Sequence, residues 1–342
     1  MKSQLTFFCE LDGQSLQTLF ENRFVFDDIK SLGASISMGI LDFSDERVGL
    51  VRKLNRMGIP VKAWLLLPKE KGYWFNLHNS EEALAFYEDF KLWSARNKLK
   101  WEGIGLDIEP DINDMSDAFK QPFKTLGKAL GRLKDKERIN KASSDYKRLA
   151  VTVRDDGYYI ESYNFPFIID ERKVKSTVIQ RFSGVVDVPV DREVLMLYSS
   201  FYRPFGQNIL YSYAQQAEAI GLGSTGGGVV LEGRKKPEIY LNWEEFSTDL
   251  RLAWRTGKPL YIFSLEGCVE QGFLTRLVNF DWAGPVKNPR KGLVNHLRTG
   301  LGGLLWLVQR PFVALAGIAG VIGTIVALRS TKKRRKKTKP SL

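Results

Sequence analysis

The sequence predicts a (β/α)8 TIM barrel over residues 1–283, followed by a membrane-anchoring helix. Three observations carry the barrel. Short apolar runs alternate with longer amphipathic ones throughout this stretch. Eight strands, each followed by a crossover, fit the length such a barrel needs, roughly 250 residues. The rival, an open doubly wound sheet, should show a glycine-rich phosphate turn after its first strand, and Leu11-Asp12-Gly13-Gln14 stands there instead.

The strand candidates, in order, are 5–10 (LTFFCE), 34–41 (ASISMGIL), 61–67 (VKAWLLL) and 103–109 (GIGLDIE). The remaining four are 149–154 (LAVTVR), 193–199 (EVLMLYS), 228–232 (GVVLE) and 260–266 (LYIFSLE). Between them lie helical patterns. Ser44-Asp45-Glu46 opens one that closes at Gly58, and Asn79 with Glu82 reads as a capping box for another ending near Leu99. Residues 214–220 and 270–278 supply later ones.

Residues 284–291, rich in proline and charge, read as a linker. Over 292–310, Leu293, Leu297, Leu301, Leu304, Leu305 and Val308 recur at helical spacing, predicting an amphipathic helix at a membrane surface that stops at Arg310-Pro311. Residues 311–328 read as a transmembrane helix. Seventeen of them, 312–328, carry no charge, enough for roughly 25 Å of helix. Ala316, Ala319, Gly320 and Gly323 add small-residue spacing that permits close helix pairing. A basic tail, 329–342, holds eight Lys or Arg and no acid.

That tail explains the net charge of +12. Without its eight cations the chain carries 43 basic and 39 acidic residues, so a specific nucleic-acid partner is not expected. The tail suits anionic lipid. The amino terminus, MKSQLTFFCELDG, lacks a signal-peptide pattern, so the expectation is a single-pass membrane protein with its main domain in the cytoplasm. About five cations precede the span and eight follow it, so charge counting leaves the topology open.

At 342 residues, 44% hydrophobic and 26% charged, the chain can bury a large core. Two cysteines, Cys9 and Cys268, exclude a disulfide scaffold and a cysteine-rich zinc module. They fall at the ends of strands one and eight, neighbours in a closed barrel, and read as reduced and structural. Two histidines, His78 and His296, argue against histidine-held metal and Ser-His-Asp catalysis. No cofactor or metal is expected, and chemistry falls to carboxylates.

Acids end four of the eight strand candidates: Glu10, Asp107 with Glu109, Glu232 and Glu266. Residues two apart on a strand share a face, so Gly105, Asp107 and Glu109 should point into the barrel mouth. Two carboxylates that close raise one another's pKa, leaving one protonated near neutrality. A protonated carboxyl beside an ionised one is what glycosidic-bond cleavage needs. The bland alternative is that these acids cap loops or pair with Arg and Lys.

The stretch WEGIGLDIEPD (101–111) resembles the strand-four signature of chitinase-like, family-eighteen glycoside hydrolases, which ends in Asp-x-Asp-x-Glu. The resemblance puts Glu109 on the general acid and Asp107 on the aspartate beside it, with Gly105 replacing the preceding aspartate. Met196-Leu197-Tyr198 is similar to that family's Met-x-Tyr, whose tyrosine steadies the substrate's N-acetyl group; Ser199 replaces the usual aspartate after it. An N-acetylated glycan, with its own acetamido oxygen as nucleophile, is the implied substrate. Glu109-Pro110 with Glu232 is also similar to the acid and nucleophile of retaining glycosidases, although Ile108 stands where their asparagine would be. A barrel that binds carbohydrate without cleaving it is the remaining alternative.

Substrate contacts are expected from Tyr73, Trp74 and Phe75 as exposed aromatics after strand three, and from Trp64, Tyr198, Tyr202, Glu10 and Glu266. His78 reads as a surface residue. A metal phosphodiesterase using Glu10, Asp107 and Asp12 would also need a histidine at a strand end, and none is available. The glycine-rich loop 221–228 precedes a strand, so it presents no helix amino terminus to a phosphate.

Overall fold

The computed structural model describes residues 4–233, 240–290 and 292–310. Eight parallel strands close into a barrel in sequence order. They are β1 (Leu5–Cys9), β2 (Ser35–Ile40), β3 (Val61–Leu65), β4 (Gly103–Asp107), β5 (Tyr159–Asn164), β6 (Arg192–Met196), β7 (Ala219–Gly223) and β8 (Leu260–Phe263). Closure is direct: Leu5, Thr6 and Phe7 pair with Leu260, Tyr261 and Ile262.

Strand alternation sorts the side chains into two apolar bodies. Phe7, Ile36, Leu65, Ile104, Ile160, Leu195, Ile220 and Ile262 face outward and join the helices in one continuous core. Phe8, Trp64, Tyr163, Val194, Met196, Ala219 and Tyr261 point inward and fill the barrel. Each large side chain so buried contributes about 1.5–3 kcal/mol.

Two polar networks are sealed within this frame. Arg47, fully buried on the helix Asp45–Met57, donates to Gly39 O at 2.7 Å, Leu11 O at 2.9 Å and Asp42 Oδ2 at 2.8 Å, pinning the loops that leave β1 and β2. Inside the barrel, Lys62 Nζ donates to Glu161 Oε1 at 2.8 Å and to Tyr261 OH at 2.6 Å.

Two predicted strands are misplaced. Residues 149–154 lie in the helix Lys136–Asp155, where Leu149, Ala150 and Val153 are buried at helical spacing while Val151 is exposed. β5 follows it, written YIESYN, and its inward acid Glu161 hid it from an apolar search. Residues 228–232 are loop; β7 is Ala219–Gly223, within and just after the predicted helix 214–220. Its small inward residues, Ala219 and Gly221, leave room for larger neighbours. The helix predicted over 270–278 is two short ones, Leu265–Glu270 and Phe273–Val278, parted at Gly272.

Beyond the barrel, residues 285–290 are irregular and Gly292–Val308 is a helix. Among the described residues no helix is long and apolar enough to cross a membrane. The predicted span 311–328 and basic tail 329–342 lie outside the described residues.

Candidate active site

Glu109 lies two residues past β4, yet the backbone holds it in strand-like register. Phe75 N donates to Asp107 O at 2.9 Å, Ile108 N to Tyr163 O at 3.0 Å, and Glu109 N to Phe75 O at 3.3 Å. The segment is thus held between the loop after β3 and the end of β5. Ile108 turns into the outer core, which leaves Asp107 and Glu109 on the inner face.

Both acids line a cavity of about 90 Å³ at the carboxyl ends of the strands. Glu10, Trp64, Trp74, Tyr163 and Tyr198 line it as well, and its rim includes Phe201, Gly228 and Leu231. Among the described residues no lysine, arginine or histidine does so.

Charge without compensation sets the protonation of this site. Burial pushes the Glu109 carboxyl up to about 8, against a hydrogen bond with Asp107 that lowers it. Asp107 is pushed well above the usual carboxylate range by burial, then by Glu109 and Glu10. Glu10 rises to about 8, chiefly through burial, although the Tyr73 hydroxyl donates to it. Glu266 rises to about 7, again by burial. Protons are therefore held on the Asp107–Glu109 pair near neutral pH, as a general acid requires. Asp107 Oδ1 and Trp64 Nε1, close together in the wall, make no well-formed hydrogen bond and are the polar atoms a ligand there would meet.

Tyr198 lies beyond β6 on the cavity wall, edge-on to Phe201 at 5.4 Å. Burial and then Asp107, Glu109 and Glu10 raise its phenol pKa, which sets it among those three acids.

The position of the missing aspartate has a physical explanation. A side chain at Gly105 would run into the Tyr163 hydroxyl, which crosses the barrel to bond Ser37 Oγ at 2.8 Å. Tyr163 on β5 occupies the space that an acid at position 105 would need.

Other predicted residues sit differently from the expectation. Tyr73, Trp74 and Phe75 are buried: Trp74 forms cavity wall, Tyr73 serves Glu10, and Phe75 joins the outer core. Glu266 stands in the first turn of the helix Leu265–Glu270, not at a strand end. It lies behind the glycine loop, accepting from Glu10 N at 3.3 Å. A Cβ at Gly227 (φ +75°) would collide with Glu266, so only glycine lets the loop pass over it.

Glu232 does not line the cavity. Its strand was misplaced, its side chain is 80% exposed, and it pairs with Lys120 at 2.8 Å. His78 is exposed beside Arg138. Among the described residues no three of His, Cys, Asp or Glu could hold a metal ion.

Phe8, Met115, Tyr163, Met196, Phe201 and Phe263 also line the cavity and were not anticipated as site residues. Inward parity would have found Phe8, Met196 and Phe263. Tyr163 required β5 to be placed first.

No family model matches the chain, the chitinase-like one included, and no curated protein matches it in sequence. Among solved structures it is similar to the PgaB (BpsB) glycoside hydrolase domain from Bordetella bronchiseptica, at 10% identity and TM-score 0.48, covering 82% of this chain and 98% of that one. A xylose isomerase-like TIM barrel protein from Mycobacterium smegmatis matches at 12% identity and TM-score 0.43, covering 78% and 89%. D-allulose 3-epimerase from Methylomonas sp. matches at 11% and 0.42, covering 76% and 84%. At these identities the likeness concerns the barrel fold alone.

Proposed function

We propose that the barrel cleaves glycosidic bonds, with Glu109 as general acid and an N-acetylated sugar as substrate. The observation that carries this reading is the Asp107–Glu109 pair, Asp107 buried and Glu109 half-buried, lining one cavity and facing no described cation. Glu109 gives its proton to the glycosidic oxygen as the bond to the anomeric carbon breaks. The sugar's own acetamido oxygen closes onto that carbon, and Asp107 accepts a hydrogen bond from the acetamido N–H. Water then opens the ring and returns a proton to Glu109. Tyr198, on the same wall, supports the acetamido group, and Trp64 and Trp74 offer apolar surface to the sugar.

Tyr163 favours a second reading. By filling the space beside Gly105 it removes the acid that would back Asp107, which suits a barrel that binds glycans without cleaving them.

One experiment separates the two. A panel of N-acetylated and non-acetylated glycosides is offered to the wild type, Glu109→Gln and Tyr198→Phe. Cleavage restricted to N-acetylated substrates, lowered about 10²–10⁴-fold by Glu109→Gln with binding retained, supports hydrolysis. Binding unchanged by Glu109→Gln, with no cleavage by any form, supports the binding barrel and ends the first reading.

A further inference from the structure

The helix Gly292–Val308 carries its polarity the wrong way round for a surface helix. Its inner face is held to the barrel largely by polar groups. Arg298, 10% exposed, pairs with Asp170 at 2.8 Å, donates to Ser212 O at 2.8 Å and stacks on Tyr213 at 3.7 Å. Ser212 donates to Asn295 Oδ1 at 2.7 Å, and Gln309 donates to Val174 O at 3.2 Å. Of the large apolar side chains on this helix, Val294 and Leu305 are the buried ones.

The outer face is apolar and uncovered. Leu293, Leu297, Leu304, Leu307 and Val308 are 39–62% exposed and recur at intervals of four, seven, three and one, which draws a single stripe along the helix. At its far end Trp306 lies under Arg310 at 4.4 Å, a pairing suited to a membrane–water boundary. A soluble surface rarely keeps a continuous apolar stripe without an occupant.

The adjoining sequence identifies that occupant. Directly after Arg310-Pro311 come the seventeen uncharged residues 312–328, then eight cations with no acid among them. We propose that the outer stripe of Gly292–Val308 lies in the interface of an anionic lipid bilayer, with 312–328 as the adjacent anchor. The clamp of Arg298 on Asp170 fixes which face of the helix looks outward. The barrel is therefore held at a set attitude to the lipid and does not swing on a tether. This inference is independent of what the barrel mouth does.

The test uses the full chain with a nitroxide at one of three exposed positions, Leu297→Cys, Leu304→Cys or Thr299→Cys; native Cys9 and Cys268 are buried and escape labelling. Collision with oxygen, which favours lipid, is compared with collision with a water-soluble nickel chelate. Vesicles are phosphatidylcholine alone or mixed equally with phosphatidylserine. The expected result is a several-fold rise in the oxygen-to-nickel ratio at 297 and 304 on the anionic vesicles, with position 299 unchanged. Three outcomes overturn the proposal: failure of the chain to bind these vesicles, stripe positions that stay open to nickel on them, or spin–spin broadening at 297 in lipid-free solution, which assigns the stripe to a second copy.

Discussion

The inside of this barrel buries acids at two levels and treats them oppositely. Towards the amino ends of the strands, Glu161 meets Lys62 at 2.8 Å, Tyr261 at 2.5 Å and Arg192 at 3.5 Å. At the mouth, Glu10, Asp107 and Glu109 line one cavity, with Glu266 behind the glycine loop beside Glu10, and no described cation lines that cavity. Both levels remove carboxylates from water, which is costly unless charge is matched. The lower level matches the charge with cations. The upper level matches it with protons, and retained protons are what acid catalysis uses. The contrast lies in how burial is compensated, by a cation at the lower level and by protons at the upper.

The contrast can be broken most severely from below. Lys62→Met should strand Glu161 and cost about 3–5 kcal/mol in denaturant unfolding, with most of it restored by Lys62→Met combined with Glu161→Gln. Glu109→Gln in the same assay should not destabilise the fold at pH 7 and should stabilise it, by up to about 3 kcal/mol, because the unfolded chain loses the ionisation that the folded site resists. An equal loss from both substitutions would erase the distinction.

The pH dependence should follow the upper level. Glu10 and Glu109 titrate near 8 when folded, above the ordinary glutamate value. Between those limits the folded state binds more protons than the unfolded one. Their stabilisation is thus full below about pH 4.5 and is lost as pH rises through 8, on the order of several kcal/mol for the two together. Unfolding free energies measured from pH 6 to 9 should fall, and Glu10→Gln with Glu109→Gln should flatten the slope.

A smaller effect concerns the space at position 105. Gly105→Asp should cost about 1–3 kcal/mol by crowding Tyr163, and should cost less than that when added to Tyr163→Ala, which removes the crowded side chain. The smallest expected change is Glu232→Ala, with no shift in the unfolding midpoint and no effect on any turnover, because its partner Lys120 is exposed as well.

Sequence reasoning reached the closed barrel because six of the eight strands are bounded apolar runs, and it reached Asp107 and Glu109 because period-two alternation survives past the strand end. It missed β5, whose YIESYN carries a buried acid made tolerable by partners far off in sequence, above all Lys62, 99 residues earlier. It missed β7 because AIGLG has the small residues that a crowded interior selects, while GVVLE nearby has the stronger strand propensity. Glu232 was placed at a strand end for that reason, whereas it lies in a loop outside the cavity. The burial of Tyr73 and Trp74 was equally illegible, since it depends on a loop folded back over the mouth by Asn76 and Asn79.

The most direct test is a carboxyl-carbon NMR titration of the full chain labelled at glutamate and aspartate, run for wild type and Glu109→Gln. At least two side-chain carboxyls should titrate near pH 8 in the wild type, and one of those transitions should vanish in the variant. If every carboxyl ionises below about pH 5, the ordinary range for exposed acids, then the mouth holds no proton at neutrality and Glu109 is not a general acid.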